Sequence, residues 1–478
     1  MNYDIIVIGG GLGGLTAGAK LAKEGRKVLL LEQHDRPGGY ATTFQRGEFT
    51  LEVGLHEADG PGPKDMKTRI YKELGVFEQL EFLPLPEFYR FVNGRVEVCI
   101  PHDPAEAAAR LKPLFPEEEA GIQAYFDHLL LPARPEDKDK PDRSLGDFLD
   151  SIITNPDLKL ILLGNLGYFH DDPYSLSLAY YTIAQSSYYK NAASFIKGGS
   201  QQLSSHLASF IEQNGGSVLL NTKALALLCQ NGKISAVTYQ SGKKPDSPRL
   251  QAAAPVIVLG SPLPGLRQLL PESYRPALES LLKTHKPGAS LLSLYLGFDR
   301  PLKELGHRHY STFVYDHSVA SPRDILKNNH AGFDSRSFTF VDYSQVDSGL
   351  APAGKSVGAI CCIDYLSDWE LPDRKAYLQK KQEVKAVLIE RLEKLMPGIK
   401  EHIVYSELGT PYTLKRYTSN PEGAVYGFAQ LPGRQQPDLS FLPSNLYIAS
   451  AWGKTGGGFS GAILGGYLSA LTVLRNKT

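Results

Sequence analysis

Short apolar runs that end at glycines mark the start of the chain. The run Asp4–Ile8 leads into glycines, a helical stretch follows at Leu15–Lys23, and a second apolar run covers Lys27–Glu32. Apolar runs of four to eight residues bounded by glycine are typical of buried parallel strands. The pattern therefore predicts a β-α-β unit here.

The same pattern returns in the middle and at the end of the chain. Gly198-Gly199 precedes a predicted helix at Gln201–Asn214, and Asn231-Gly232 has the composition of a hairpin turn. We predict buried or paired strands at Ser217–Leu220, Ala224–Leu228, Lys233–Gln240, Val256–Gly260 and Leu446–Ser450. A glycine-rich apolar helix is expected over residues 456–474.

Two stretches between these segments have a different pattern. Residues 61–194 contain helical stretches, and the run Tyr168–Tyr189 is dense in tyrosine and phenylalanine, typical of a core or of an apolar tunnel wall. Residues 288–366 alternate apolar and polar positions, which predicts an antiparallel sheet with one covered face. The predicted helices are Ala105–Leu111, Glu117–Leu131, Leu145–Ile153 and Arg374–Leu395, and the predicted strands are Ser290–Phe298, Ser337–Tyr343 and Lys355–Tyr365.

Composition excludes several classes of function. The 51 basic and 51 acidic residues leave no formal net charge, which argues against a nucleic-acid binder and a polybasic membrane anchor. Four cysteines without a CxxC motif favour a reducing compartment, so a cytoplasmic location is expected. The uncharged stretch Thr455–Leu474 is just long enough to cross a bilayer, but its glycines favour a buried helix.

The first glycine cluster predicts a dinucleotide site. Gly9–Gly14 contains G-x-G-x-x-G directly between a predicted strand and a predicted helix. Gly9 allows the tight turn, Gly11 lets a pyrophosphate approach the backbone, and Gly14 lets the helix pack on the strand. The pyrophosphate would then lie on the helix N-terminus, against Leu12 and Gly13.

Glu32 and a second glycine pair extend this motif. Glu32 ends the second predicted strand, where its carboxylate would accept hydrogen bonds from ribose hydroxyls and disfavour a 2′-phosphate. Because NAD and FAD share the first motif, it does not separate them. The spacing from Glu32 to Gly38 and Gly39 resembles the extended fingerprint of FAD-dependent oxidoreductases, although a simple turn after Pro37 is an alternative.

The last glycine cluster, Gly456–Gly461, matches the same string but lacks its context. The gap from the preceding strand is longer, and no acidic strand end follows. The segment resembles the terminal motif of flavoproteins, in which backbone N–H groups at the start of a helix, here at Gly457, Gly458 and Ser460, stabilise negative charge on the reduced flavin ring. The alternative is a helix that needs close packing.

Together these patterns predict an α/β fold. A discontinuous Rossmann-type domain that binds FAD would consist of residues 1–60, 195–270 and 440–478. Residues 61–194 and 271–439 would form an α+β substrate-binding lobe with a mixed or antiparallel sheet. We predict no separate NAD(P) domain, so electrons for any reduction would come from outside, or the reaction would be a net isomerisation or oxidation.

Several segments resemble the phytoene desaturase, carotenoid isomerase and retinol saturase group of flavoproteins, and the resemblance covers nearly the whole chain. They are Phe49–His56, Ile196–Leu203, the stretch from Gly409 to Thr413, and Tyr417, Pro421, Gly423, Ala424, Tyr426 and Gly427. His56 looks most like the retinol saturase branch. Glu52 stands where the group usually has Asp, and Trp452–Thr455 departs from the branch's usual residues, which leaves the substrate open.

The resemblance implies an FAD-dependent oxidoreductase. Such an enzyme would act on carbon–carbon bonds of an apolar polyene lipid, as a saturase, desaturase or cis–trans isomerase, through hydride chemistry at flavin N5. Peripheral contact with a membrane is consistent with such a substrate. Further cofactor contacts are implied at Thr42, Gly54, Leu55, His56, Ala224 and Gly260.

Candidate catalytic residues are few. His56 could donate a hydrogen bond or a proton, because imidazole titrates near neutrality, but an ordinary loop histidine fits the sequence equally well. Tyr426 and Arg416 are weaker candidates on the substrate side. The spacing of His56, Glu57 and Asp59 predicts no metal site.

Two other functions share parts of this pattern. An amine oxidase or protoporphyrinogen oxidase-type flavoenzyme would have the same cofactor domain. A non-catalytic protein like the Rab GDP-dissociation inhibitors would bind prenyl groups without flavin. The intact set of Gly9–Gly14, Glu32 and Gly456–Gly458 argues against the second alternative.

Overall fold

A computed structural model describes residues 3–131, 141–242, 244 and 247–476. The strands are β1 Ile5–Ile8, β2 Val28–Leu31, β3 Thr43–Arg46, β4 Phe49–Glu52, β5 Ala58–Asp59, β6 Phe82–Pro84, β7 Tyr89–Val92, β8 Glu97–Ile100, β9 Ala193–Ile196, β10 Ser217–Leu219, β11 Thr222–Gln230, β12 Lys233–Ser241, β13 Arg249–Ala252, β14 Val256–Leu259, β15 Ser290–Phe298, β16 Ser311–Val314, β17 Phe338–Asp342, β18 Ser356–Asp364, β19 Ile403–Gly409 and β20 Leu446–Ile448. The helices are α1 Leu12–Lys23, α2 Met66–Glu73, α3 Pro104–Leu111, α4 Glu119–Leu130, α5 Leu145–Ile152, α6 Pro156–Leu162, α7 Leu178–Asn191, α8 Gln201–Gln213, α9 Leu266–Leu269, α10 Arg275–Thr284, α11 Ile325–Asn329, α12 Arg374–Leu395, α13 Pro411–Thr418 and α14 Gly458–Arg475.

The first sheet is parallel and has the order β10-β2-β1-β14-β20. Every residue of β1, β2 and β14 is buried, as expected for strands covered on both faces. Helix α1 begins at Leu12, three residues earlier than predicted, because the glycines at its start allow close packing rather than breaking the helix. The β-α-β unit predicted from the apolar runs is confirmed.

The second large sheet has seven strands in the order β19-β15-β18-β17-β16-β7-β8. Its strands pair antiparallel except for β16 and β7, which are parallel. Strands β7 and β8 come from the first insertion and the other five from the second. The sheet is therefore mixed, and the predicted combination of a Rossmann-type domain with an α+β lobe is confirmed.

Helix α14 packs tightly on α1. A Cβ atom at Gly466 would lie 2.2 Å from the carbonyl oxygen of Gly13, and one at Gly13 would lie 1.8 Å from that of Ala449. Backbones this close explain the glycines of the last helix, which is buried against the cofactor domain as predicted. Among the helices of the described residues, none has both the length and the apolar character needed to cross a membrane.

The two lobes share small elements at their boundary. The short sheet β5-β9-β6 links residues before and after the first insertion. Helix α2 follows the predicted boundary at residue 60 and buries Ile70 and Tyr71 in the same hydrophobic core as α1 and α14. The exact division of the chain into two domains stays a prediction.

Candidate functional site

A single continuous cavity of about 1050 Å³ runs from the parallel sheet into the second lobe. At one end it is lined by the glycine turns after β1 and β14 and by Glu32. At the other end it lies between α7 and the seven-stranded sheet. The cavity therefore joins the predicted cofactor site to the predicted substrate lobe.

The turn after β1 forms an anion cradle. Gly9 adopts φ +99°, and a Cβ at Gly14 would lie 2.1 Å from the Gly9 carbonyl oxygen, so both positions require glycine. At Gly11 an added Cβ would meet only the Gly260 carbonyl oxygen, at 3.9 Å, because this residue faces open space. No side chain caps the start of α1. Its first N–H groups are thus available to a pyrophosphate.

The second glycine pair lies directly beside this cradle. The Gly38 N–H donates to the Gly10 carbonyl at 2.7 Å, and Gly38 forms a parallel bridge with Gly11. A Cβ at Gly39 would lie 3.5 Å from the Gly11 Cα. The two glycine segments, Gly9–Gly14 and Gly38–Gly39, have 23 residues between them in the sequence and therefore form one wall of the cavity only in the folded chain.

Glu32 closes the end of the cavity beside the α1 cradle. Its Oε2 accepts a hydrogen bond from the Gly10 N–H at 2.6 Å and its Oε1 accepts from the His34 N–H at 2.7 Å. Burial raises the pKa of Glu32, and these backbone N–H groups oppose the rise. The fixed carboxylate lines the cavity and has lone pairs left for ribose hydroxyls.

Most of the predicted cofactor residues line this cavity: Gly9, Gly11, Leu12, Gly13, Glu32, Gly38, Gly39, Gly54, His56, Ala224, Gly260, Gly457, Gly458 and Ser460. Gly14, Thr42 and Leu55 do not. Gly14 packs on the Gly9 carbonyl, the Thr42 hydroxyl donates to Gln201 Oε1, and Leu55 is 1% exposed in the core. These three support the wall from behind.

The start of α14 supplies the opposite wall. A Cβ at Gly457 would lie 2.2 Å from the Tyr426 carbonyl oxygen, whereas Gly458, at φ +72°, faces open space. The Ser460 hydroxyl donates to Asp59 Oδ1, and Asp59 Oδ2 lies 2.9 Å from the Lys67 ammonium. This buried chain of contacts fixes the helix N-terminus against β5.

The segment Gly54–Glu57 crosses the cavity between the two walls. The Glu52 carboxylate accepts from the N–H groups of Gly54 and Leu55, at 3.1 and 3.0 Å, and from both the N–H and the hydroxyl of Ser200, each at 2.7 Å. The longer Glu side chain in place of the group's Asp therefore ties β4 to the start of α8.

Two tyrosines from the second lobe hold this segment from the other side. The Tyr310 hydroxyl donates to the His56 carbonyl at 2.7 Å and the Tyr343 hydroxyl to the Leu55 carbonyl at 3.2 Å. The His56 ring lines the cavity, with its centre 5.9 Å from that of Tyr168. Burial lowers the pKa of His56 to about 4, so the imidazole is neutral at neutral pH. The neutral ring can donate a hydrogen bond, but it has no acidic proton to transfer.

The other candidate catalytic residues differ in position. Tyr426 lines the cavity beside Gly457, and burial raises the pKa of its phenol, which stays neutral. Arg416 is exposed on α13, with its guanidinium 5.4 Å from the centre of the Tyr417 ring, and does not line the cavity. The structure thus places Arg416 apart from the other candidate catalytic residues.

The inner half of the cavity is largely aromatic and aliphatic. Helix α7 contributes Tyr180, Ala184 and Tyr188, and the sheet contributes Phe313 and Ile363. The run Tyr168–Tyr189 forms both a tunnel wall and part of the core. Some of its residues line the cavity, whereas Tyr181 and Tyr189 point into the core. The cavity-lining and core residues lie on different faces of α7, a helix that the apolar pattern of the sequence did not predict.

Several lining residues were not predicted as site residues. Glu57, Lys67, Tyr168 and Tyr188 line the cavity. Glu57 directly follows His56, and the sequence pattern raises it only as a potential metal ligand. Its position next to a candidate site residue was the one signal that could have identified it.

The residues present fit FAD. A glycine cradle on a helix N-terminus, an acid at the ribose position and a second uncapped helix start face one cavity, which is the arrangement that defines a flavin-dependent oxidoreductase. A family model for flavin-containing amine oxidoreductases matches residues 12–474. The chain belongs to this family, and FAD is its cofactor.

Curated relatives cover most of the chain. All-trans-retinol 13,14-reductase from Danio rerio is 27% identical over 89% of this chain and 77% of its own length. Prolycopene isomerase from Daucus carota is 26% identical over 93% and 74%. The 4,4'-diapophytoene desaturase from Methylomonas sp is 27% identical over 89% and 85%.

Solved structures agree on the fold. An oxidoreductase from Methanosarcina mazei has a TM-score of 0.67 at 18% identity, over 99% of this chain and 100% of its own. Putrescine oxidase bound to putrescine has a TM-score of 0.63 at 15% identity, with complete coverage of both chains. The Rab GDI from Plasmodium falciparum has a TM-score of 0.54 at 12% identity, over 99% and 98%. Such distant likenesses show the shared fold alone.

Proposed function

We propose that the protein is an FAD-dependent oxidoreductase that acts on carbon–carbon bonds of an apolar polyene lipid, as a saturase, desaturase or cis–trans isomerase. The observation that carries the proposal is the aromatic and aliphatic cavity that continues directly from the cofactor cradle. The names of the relatives, which refer to retinol, prolycopene and diapophytoene, support the same class of substrate.

Bound FAD supplies hydride chemistry at its N5 atom. The glycine cradle at the start of α1 and Glu32 would hold FAD, and the N–H groups at the start of α14 would stabilise negative charge on it. The wall formed by Tyr168, Tyr188 and Phe313 orients a flat hydrocarbon chain and excludes water. His56 and Tyr426, both neutral, border the region where the two binding sites meet.

Incubation of the purified flavoprotein with retinoids and carotenoids, once with the flavin oxidised in air and once with the flavin reduced by dithionite, tests this proposal. Chromatography coupled to mass spectrometry separates reduction by a gain of two hydrogens, desaturation by a loss of two, and isomerisation by a new retention time at unchanged mass. Ala184→Phe, which fills the cavity from α7, should abolish conversion, whereas Val404→Phe on the exposed face of β19 should not. A wild-type protein that leaves every polyene unchanged would contradict the proposal.

The alternative of an amine or porphyrinogen oxidase has a separate readout. Hydrogen peroxide release with those substrates, and none with polyenes, would favour it.

Access of a membrane-dissolved substrate predicts peripheral contact at the cavity mouth, where Ile183 is 75% exposed and also lines the cavity. Cosedimentation with lipid vesicles, compared between wild type and Ile183→Ser, checks this point.

A further inference from the structure

Three buried glutamates line or support the cavity, and one of them differs from the others. The carboxylates of Glu32 and Glu52 each accept hydrogen bonds from backbone N–H groups. Glu57 is 6% exposed, lines the cavity, and has no hydrogen bond of normal geometry at either carboxyl oxygen within the described part of the chain. Buried polar atoms are nearly always hydrogen-bonded, so this carboxyl calls for a partner that the chain does not supply.

The groups that face Glu57 do not provide that partner. They are Glu87, Tyr89, Tyr168, Tyr188, Tyr310 and Tyr343. Tyr89, Tyr310 and Tyr343 donate their hydroxyl protons to backbone carbonyls, of Ile161, His56 and Leu55. The hydroxyl of Tyr168 is itself buried without a hydrogen bond of normal geometry.

The nearest charged and titratable neighbours also leave Glu57 uncompensated. The Lys67 ammonium is paired with both Asp59 and Asp65, at 2.9 and 2.5 Å. The adjacent His56 is neutral. Burial and the Glu87 carboxylate raise the pKa of Glu57 well above its ordinary value, although the Tyr168 hydroxyl partly offsets this. Burial thus favours the neutral form of Glu57, which has one proton to donate and one carbonyl oxygen to accept.

We propose that the Glu57 carboxyl, together with the neighbouring Tyr168 hydroxyl, recognises a neutral oxygen on the ligand, a hydroxyl or a carbonyl. The protein then selects polyenes that carry such an oxygen over hydrocarbons of the same length. This inference rests on the proposed function, because it specifies the substrate of the same site. Asp59, two residues further along, contacts Ser460 at the start of α14, so the oxygen is held at the cofactor end of the cavity.

The physical reason for the selection is an asymmetry in hydrogen bonding. A ligand oxygen satisfies two groups that are otherwise buried and unpaired, and a methyl group in its place leaves them unpaired. Sites built to bind an oxygen therefore reject analogues that lack it more strongly than apolar pockets reject an extra methylene.

Ligand binding to the FAD-loaded protein tests the inference without turnover. The probes are all-trans-retinol, its aldehyde retinal, and the parent hydrocarbon with a methyl group in place of the alcohol, and quenching of tryptophan fluorescence gives each Kd. In the wild type, retinol and retinal should bind about tenfold or more tightly than the hydrocarbon. Glu57→Leu should remove this preference, Glu57→Gln should keep most of it, and Glu212→Leu on an exposed face of α8 is the control.

Infrared difference spectroscopy gives a second readout. Retinol binding should shift a protonated-carboxyl band that is absent from Glu57→Gln. Equal affinity of the wild type for alcohol and hydrocarbon, or an unchanged preference in correctly folded Glu57→Leu, would overturn the inference. Conversion of polyenes without this preference would refute the inference alone, whereas a Glu57-dependent preference without any conversion would refute the proposed function alone.

Discussion

The contact between α1 and α14 makes a sharp prediction, because it joins two backbones. The substitution Gly466→Ala places a Cβ 2.2 Å from the Gly13 carbonyl oxygen, 2.9 Å from its carbonyl carbon and 3.0 Å from its Cα. Ordinary contact begins at 3.4 Å, so the helices must separate by about 1 Å. None of the three atoms can rotate away as a side chain would.

The expected loss of stability follows from two opposing terms. Overpacking in a close-packed interior costs about 1–3 kcal/mol, and a backbone neighbour places this contact at the upper end. Alanine gains about 1 kcal/mol over glycine inside a helix. The net destabilisation is therefore about 2 kcal/mol, and FAD should bind more weakly because Gly13 and Gly458 belong to opposite walls of the cofactor site.

Gly18→Ala in α1 is a matched control. Its Cβ would meet the Ile211 Cδ1 at 2.8 Å, the far end of a flexible side chain that can move. We expect this variant to be within about 1 kcal/mol of the wild type. Urea unfolding of the apoproteins and FAD titration measure both quantities, and a Gly466→Ala protein as stable and as tight for FAD as Gly18→Ala would refute the reasoning.

Three further predictions concern single buried groups. Glu32→Ala leaves the Gly10 N–H unpaired and removes the ribose acceptor, so FAD affinity measured by titration of the apoprotein should fall about 10–100-fold, and an unchanged Kd would contradict the assigned role. Burial, with repulsion from nearby cations, lowers the pKa of His307 to about 4 from about 6.5 when unfolded. Its neutral folded form therefore contributes stability above pH 6.5 that is lost as the pH falls towards 4, by up to about 3 kcal/mol, and His307→Asn should lose less than the wild type over that window in urea unfolding. Arg336→Leu leaves the buried Asp364 carboxylate without its cation, although the Trp369 Nε1–H still donates to it, and should destabilise by about 3–5 kcal/mol in the same assay at neutral pH, with partial recovery when Asp364→Asn is added; no loss would show that the pair is dispensable.

Much of the cofactor half could be predicted because its signals are local. A strand, a glycine turn and a helix follow one another within 30 residues, and glycine at Gly9 or Gly14 has one physical meaning in that context. The cavity wall was harder to predict. Helix α7 buries tyrosines on one face and exposes others to the cavity, so its sequence shows no clear apolar stripe at helical spacing.

The features that could not be predicted depend on contacts between residues far apart in the sequence. The parallel pairing of β16 with β7 unites residues 90–92 and 312–314, and no local pattern encodes such a partner. Glu57 illustrates the same limit for a site. Its neighbours lie at positions 87, 89, 168, 188, 310 and 343, so its unusual environment exists only once both insertions have folded around it.

The strand order of the parallel sheet also has a consequence for biogenesis. Strands β1 and β2 are synthesised together, but β1 lacks its neighbour β14 until residue 259 is made, and the edge strand β20 follows only at residue 448. At about 5–20 residues per second, residues 32–448 take roughly 20–80 s to synthesise. Throughout that time the nascent chain carries an apolar strand without its final partners, which makes it a substrate for chaperones. FAD capture is therefore expected only once the start of α14, which lines the same cavity, has been synthesised.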